Sequence, residues 1–222
     1  NVFAHIGDLP RLIDNLKSIM SDRTVLIIEN HYLGDILDRG QFDTFYHEHL
    51  RSYSFHSFLK VAELLGKNVI DVEFVSRYGG NIRVHICSQG SRQSSFQENN
   101  FIGKFSQMTY ELVNWRKRTR KMILDHVSEF GPIAAKAFPG RAAILVKLLG
   151  LSERHISAVY EIKGSIKTGH YVPGTRIPIL EENILYEKGT NEKILNLAWH
   201  IPSEVRENLK LNNYRGEVID IR

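Results

Sequence analysis

The sequence predicts an α/β chain in two parts, and three observations carry the prediction. A continuous apolar run, TVLIIE at 24–29, is followed by two strictly alternating segments, VIDVEFV and NIRVHIC, with Gly79-Gly80 between them. The run suits a strand covered on both faces of a parallel sheet, and the alternating pair suits two antiparallel strands closing a sheet edge. From about Gly131 strand-like and helix-like segments alternate again, as a second, small parallel layer structure requires. Between the parts lies SQGSRQSSFQENN at 88–100, poor in apolar residues and rich in turn formers, the composition of a linker. These boundaries give a first part at 1–95, a linker with a long connecting helix at 96–132, and a second part at 133–222.

The elements follow in order. Asp8 caps a helix with Pro10 in its first turn and Leu9, Leu12, Ile13, Leu16, Ile19 and Met20 on one face. After the 24–29 strand comes a short helix over Leu33–Leu37. SFLKVAELLG repeats Phe58, Val61, Ala62 and Leu65 at helical spacing and stops at Gly66. The connecting helix runs from about Phe105 to Phe130 and packs Leu112, Trp115, Met122, Ile123, His126 and Val127. The second part reads as strand IAAKAF, helix RAAILVKLLG, strands HISAVYEI and KILNLAW, helix SEVRENLKL and strand EVIDI.

Composition excludes several classes. A single cysteine, Cys87, rules out a disulfide framework and a cysteine-built zinc site within this chain. It also suits a reducing, cytoplasmic setting. No apolar run reaches the length of a membrane span. The net charge of +4 favours an anionic ligand mildly. The basic run RKRTRK at 116–121 carries no interleaved aromatics beyond Trp115, which favours a solvated helix face over a nucleic-acid surface. The chain opens on Asn1 and enters NVFAHI at once, as the end of a strand begun upstream would, so a piece of a longer protein is expected.

Ten histidines occur, and His5, His31, His47, His49 and His56 fall in the first quarter. The stretch FDTFYHEHLRSYS at 42–54 concentrates them with tyrosine and carboxylate. If Tyr46–Tyr53 begins a helix, Tyr46, His49 and Tyr53 share a face and Glu48 lies beside His49. A histidine with a carboxylate neighbour suits general-base work, and a tyrosine hydroxyl suits an enolate oxygen. The same spacing also describes a polar, solvated helix start, and from the residues alone both readings stand. A metal set of His47, Glu48 and His49 is disfavoured, because adjacent residues diverge on a helix and no second ligand group follows at usual spacing.

NVFAHI with DLPRLIDNLKSIM, then VLIIENHYLGDIL, FDTFYHEHLRSYSFHSFLKVAELLG, VIDVEFVSRYGGNIRVHIC and GHYVPGTRIPIL stand in the order seen in S-adenosylmethionine (SAM)-dependent sugar C-methyltransferases. The chain resembles that family over nearly its whole length. The resemblance implies the C-terminal half of a Rossmann-like methyltransferase domain with an antiparallel edge hairpin, followed by a second small Rossmann-like α/β domain. The family's zinc-binding segment and glycine-rich SAM loop would lie upstream, so zinc is expected only there and the SAM site mostly there. The implied partner is a nucleotide-linked 4-keto sugar, methylated at C3, with neither nucleic acid nor membrane involved. A truncated relative that binds the sugar nucleotide without transferring a methyl is the alternative.

Matched residue by residue, the resemblance makes His49 the base that removes the C3 proton, with Tyr46 and Glu48 beside it and His5 lining the pocket. Tyr53, on the predicted shared face, joins the substrate-binding set. In the second part Arg141, in AFPGRAAILVKLLGL, would meet a diphosphate together with the N–H groups at its helix start. Tyr171, Thr175 and Arg176, around the Pro173-Gly174 turn, would face the nucleotide. Trp199 matches a family tryptophan, while His200 stands where an amide is more usual.

Overall fold

The computed structural model describes residues 2–90, 97, 98, 100–187 and 192–222, so the expected linker at 88–100 falls largely outside the described residues. The chain divides into two compact units, Asn1–Glu111 and Leu112–Arg222.

The first unit holds helices α1 (Leu9–Ile19), α2 (Leu33–Asp38) and α3 (Phe55–Leu64), with strands β1 (Leu26–His31), β2 (Asn68–Val75) and β3 (Asn81–Cys87). Each start signal acts as its chemistry demands. The Asp8 carboxylate accepts from Arg11 N at 3.1 Å and caps α1. Ser54 and Ser57 exchange side-chain and backbone hydrogen bonds at the head of α3. The strands form an antiparallel sheet in the order β1-β3-β2. The core gathers Phe3, Ile13, Ile28, Phe55, Phe58, Val61, Ile82, Val84 and Ile86.

β1 departs from expectation. It pairs antiparallel with β3 along its whole length, and Ile27 is 55% exposed. The period of two decides this: Ile28 and Asn30 point into the core, so Ile27 and Glu29 take the other face. There Glu29 meets Arg83 at 2.7 Å, and Arg83 and His85 meet Glu73 at 2.9 and 3.1 Å. A cross-strand charge ladder covers the face for which apolar neighbours were expected.

Glu98 anchors the head of α3. Its carboxylate accepts from Phe55 N at 2.7 Å and His56 N at 2.9 Å, and meets His56 Nδ1 at 2.5 Å, with its side chain 1% exposed. Burial opposes ionisation of Glu98, but the His56 N–H, the His56 imidazole and the Phe55 N–H outweigh it and hold the carboxyl below its ordinary range. A depressed folded-state pKa contributes stability that is present above the unfolded value and lost as pH falls through the folded one. Glu98→Gln is therefore expected to lower stability by about 1–2 kcal/mol at neutral pH, the size of a cap. That deficit should shrink at a pH below the ordinary glutamate range, once folded wild-type Glu98 protonates. Urea unfolding at both pH values checks it, and an equal deficit at both would contradict it.

The second unit carries strands β4 (Ile133–Lys136), β5 (Ile156–Glu161), β6 (Ile179–Glu181), β7 (Ile194–Asn196) and β8 (Val218–Asp220). With them are helices α5 (Ala142–Leu149), α6 (Asn183–Glu187) and α7 (Pro202–Leu211). The strands are all parallel, in the order β6-β5-β4-β7-β8. The order reverses at β4, so a crevice opens between β4 and β7 at their C-terminal ends, where ligands bind in doubly wound sheets. β6 and α6 were not anticipated; β6 is only three residues long and follows directly on the Pro173-Gly174 turn segment.

The long helix α4 (Phe101–Phe130) contains the boundary between the units. Trp115 is buried and donates its Nε1–H to Ile221 O at 2.8 Å. Ile123 is buried as expected, but Met122 sits at 36% exposure, off the covered stripe. Of the basic run, Arg116, Lys117, Arg118 and Lys121 are exposed, and Arg120 donates to the Leu149 and Gly150 carbonyls. Arg120 thereby closes the C-terminus of α5, a structural use of one charge in the run.

Candidate functional site

Three histidines from three separate segments meet in the first unit. His5 ends a 3-10 turn, Phe3–His5, which is tied to β1 by Ala4 N donating to the Asn30 side chain at 3.3 Å. His31 ends β1, and the next residue, Tyr32, donates its N–H to Gly80 O at 3.2 Å. Gly80 is required there: its φ is 118°, and a Cβ would lie 2.1 Å from Asp35 Oδ2. His49 follows a second 3-10 turn, Phe42–Thr44, fixed by Gln41 Nε2 on Gly79 O at 2.6 Å and Thr44 Oγ1 on Gln41 O at 2.7 Å.

The helix supposed over Tyr46–Tyr53 does not form. Tyr46–His49 is a tight turn closed by His49 N on Tyr46 O at 2.9 Å, and helix begins only at Phe55. The turn still joins the two side chains the helix was expected to join: the Tyr46 and His49 rings stand 4.6 Å apart. His5 and His31 lie edge-on to His49 at 4.9 and 5.3 Å. Past the turn, Arg51 donates to the Ile6 and Gly7 carbonyls at 2.5 and 3.1 Å, which draws the His5 segment against the His49 segment.

The chemistry of His49 follows from one bond. Its Nδ1 lies 2.9 Å from the Thr44 carbonyl oxygen. A carbonyl can only accept, so Nδ1 carries the proton and Nε2 presents a lone pair. The expected orienting partner was Glu48; its carboxylate instead accepts the Tyr46 hydroxyl at 3.1 Å. A backbone carbonyl sets the tautomer of His49, and the carboxylate supports Tyr46. His31 was grouped with the clustered histidines but given no role from the sequence. Its signal was the position at the C-terminal end of a strand.

Tyr53 does not line this site. It is 3% exposed, stacked on Phe58 at 5.0 Å and edge-on to Phe3 at 5.2 Å, in the core. Without the predicted helix nothing holds it on the face of Tyr46 and His49; its bridge to Tyr32 turns the ring inward. Burial pushes its phenol up, and the hydroxyl has no hydrogen-bond partner among the described residues. His47, Glu48 and His49 do not assemble as a metal set; among the described residues the one such group is Asp71, Glu73 and His85, in which Glu73 already meets Arg83.

In the second unit the crevice between β4 and β7 encloses about 310 Å³ and is lined by Lys136–Pro139, Glu161, Lys167, Ala198 and Glu204, among others. The carboxylate at the end of β5, Glu161, accepts the Phe138 N–H and so fixes the loop after β4. Arg141 closes that loop ahead of α5. Its guanidinium stands 5.3 Å from the Trp199 ring, and Arg222 stands 4.8 Å from the same ring. Two cations from the ends of two segments are thus held by one indole. The Ala142 N–H at the start of α5 is already engaged by the Pro139 carbonyl at 2.8 Å, so it is not among the donors expected for a diphosphate. A Cβ at Gly140 would meet no protein atom within 4 Å.

Tyr171, Thr175 and Arg176 are not brought to Arg141. They sit on a hairpin whose tip lies at the N-terminal end of β6, since Val172 N bonds Ile177 O and Ile179 N bonds His170 O, at 2.9 and 2.8 Å. Arg176 N donates to the Glu153 carboxylate at 3.3 Å, ahead of β5, whereas Arg141 follows the C-terminal end of β4. Thr175 Oγ1 is engaged in the turn itself, on Val172 O at 2.8 Å.

Residues 76–219 match the family described as the C-methyltransferase C-terminal domain. C-methyltransferase NovU of Streptomyces niveus is 25% identical over 220 residues, a stretch that covers 94% of this chain and 52% of NovU. The chain thus spans about half the length of that relative. Among the described residues no helix is long and apolar enough to cross a membrane.

Proposed function

The chain belongs to the C-methyltransferase C-terminal domain family, and from that premise we propose that the protein is a SAM-dependent methyltransferase acting at C3 of a nucleotide-linked 4-keto sugar, with His49 as its base. The observation that carries this is the bond between His49 Nδ1 and the Thr44 carbonyl, which leaves Nε2 as the acceptor in a cluster of polar rings. A 4-keto group acidifies the C3 hydrogen. Nε2 takes that proton, and the Nδ1–H bond to Thr44 strengthens as the imidazolium forms. The enolate oxygen needs a donor, and the Tyr46 hydroxyl is assigned that task once it turns its single proton from Glu48 to the substrate; its ring stands 4.6 Å from that of His49. Until then Glu48 holds the hydroxyl by accepting that proton.

The β1–α2 junction does not fit the cofactor. β1 leads into α2 through Tyr32 alone, and the space over Gly34 is filled by the Tyr32 ring, 2.3 Å from where a Cβ would stand. No glycine-lined turn offers backbone N–H groups there, so no step is assigned through the methyl donor.

The second unit is proposed to hold a nucleoside-diphosphate site of its own, with the Arg141 and Arg222 guanidiniums on the diphosphate and Trp199 orienting both. Arg141→Gln is expected to weaken binding of a nucleoside diphosphate to the chain by about 10- to 100-fold, the value of a charged hydrogen bond. Calorimetric titration measures it, and unchanged affinity removes Arg141 from the site. For the function as a whole, the complete protein is incubated with a nucleotide-linked 4-keto sugar in deuterated water and then with SAM. Loss of the C3 proton signal followed by methyl transfer is expected. Binding without either change would leave the non-catalytic alternative.

A further inference from the structure

We propose that His31 tunes the basicity of His49, so that the two imidazoles share one positive charge and His31 acts as a positioning residue for the proton step. This rests on the proposed role of His49 as base. The two rings stand 5.3 Å apart at 71°, edge to face. His49 has a neutral carbonyl on Nδ1, whose dipole answers the charge it gains on taking a proton. A second imidazole at this distance then controls the outcome. When His31 is protonated, like charge disfavours a proton on His49; when His31 is neutral, His49 can accept one. His31 is also fixed in place: β1 holds its backbone against Asn81, and the Tyr32 N–H holds the following residue to Gly80.

Other charged and titratable groups surround the pair, and the buried Asp43 lies on the turn beside Thr44. His5 lies 4.9 Å from His49 but is exposed, so the high dielectric of water weakens its charge. Tyr46 and Glu48 are bonded to each other on the turn. Arg51 is directed at the Ile6 and Gly7 carbonyls. Glu29 on β1 is paired with Arg83 of β3, and Asp35 of α2 lies over Gly80. Of the cluster, His31 is the partly covered imidazole on a strand, and so the one whose charge reaches His49 least screened.

The test is a ring-resonance NMR titration of His49 in the 222-residue chain, which requires neither sugar nor methyl donor. In the wild type His49 is expected to titrate below its position in His31→Gln, by about half a pH unit or more, and over a broadened range. His31→Lys places a fixed positive charge at the same point and should move the titration further down. Opposite displacements by Gln and Lys are not produced by a merely structural role. A His49 curve that is the same in all three proteins overturns the proposal, as does displacement in one direction by both variants. Because the readout is protonation rather than turnover, a failure here is separate from a failure of the methyltransferase reading. That second failure would appear as an absence of C3 exchange in a protein whose His49 still responds to His31.

Discussion

His49→Ala in the complete protein is expected to lower exchange of the sugar C3 proton with solvent, and methyl transfer with it, by about 10²–10⁴-fold, the range for losing a positioned general base. The geometry makes the expectation specific to this histidine. His5, His31 and Tyr46 all lie within ring contact of it, yet the bond from Nδ1 to Thr44 O identifies a base nitrogen on His49. Substitution by glutamine tests the same point without opening a cavity, since its amide can meet the Thr44 carbonyl but cannot take up a proton. Tyr46→Phe should reduce both rates less, because the enolate oxygen keeps access to other donors while the proton acceptor is intact. The measurement is deuterium incorporation at C3 followed by proton NMR, run without the methyl donor so that exchange stands alone. Exchange retained in His49→Ala would remove His49 from the base role and direct attention to His5 or His31.

The local elements were legible in the sequence wherever one strong signal acted alone. Asp8 with Pro10, Ser54 before an apolar repeat, and the strict alternation on either side of Gly79-Gly80 each specify one local structure, and each formed. The segment over Tyr46–Tyr53 permits a helix because its residues tolerate one, while what shapes it is distant. Gln41 binds the carbonyl of Gly79, and Arg51 binds those of Ile6 and Gly7, over sequence separations of 38 and about 45 residues. Such bonds leave no periodic trace. The same reason explains Tyr53, whose place in the core follows from its bridge to Tyr32, and the Thr44 carbonyl, an acceptor that every residue carries and no motif marks. Tyr46 and His49 met as expected, through a turn in place of the expected helix. In the second unit Arg141 and Trp199 came together through β4 and β7, adjacent strands at the reversal of strand order, while Thr175 and Arg176 were carried to the opposite end by the parallel direction of β6.

Glu182→Leu is expected to destabilise the protein by about 3–5 kcal/mol, because it strands a buried cation. Lys136 ends β4 at the floor of the crevice with its side chain 3% exposed, and its ammonium lies 2.5 Å from Glu182 Oε2. The Tyr186 hydroxyl donates to the same oxygen at 3.0 Å, and the Glu182 N–H is held by Glu161 O at 2.8 Å. Burial, then the bond to Glu182 and its charge, push the Tyr186 phenol well above its ordinary value, so the proton stays on the phenol and keeps pointing at the carboxylate. Removing Glu182 leaves the ammonium, on a side chain 3% exposed, without its counter-charge. Lys136→Met alone should be nearly as damaging, since it leaves the carboxylate buried with one donor fewer. The double variant Lys136→Met with Glu182→Leu should recover most of the loss, because an apolar pair of similar volume has no desolvation penalty to offset. Urea unfolding of the four proteins gives the coupling energy directly. Single variants that each cost less than about 1 kcal/mol, the ordinary range of a solvated surface pair, would show that water reaches Lys136 and that the crevice floor is wetter than its packing implies.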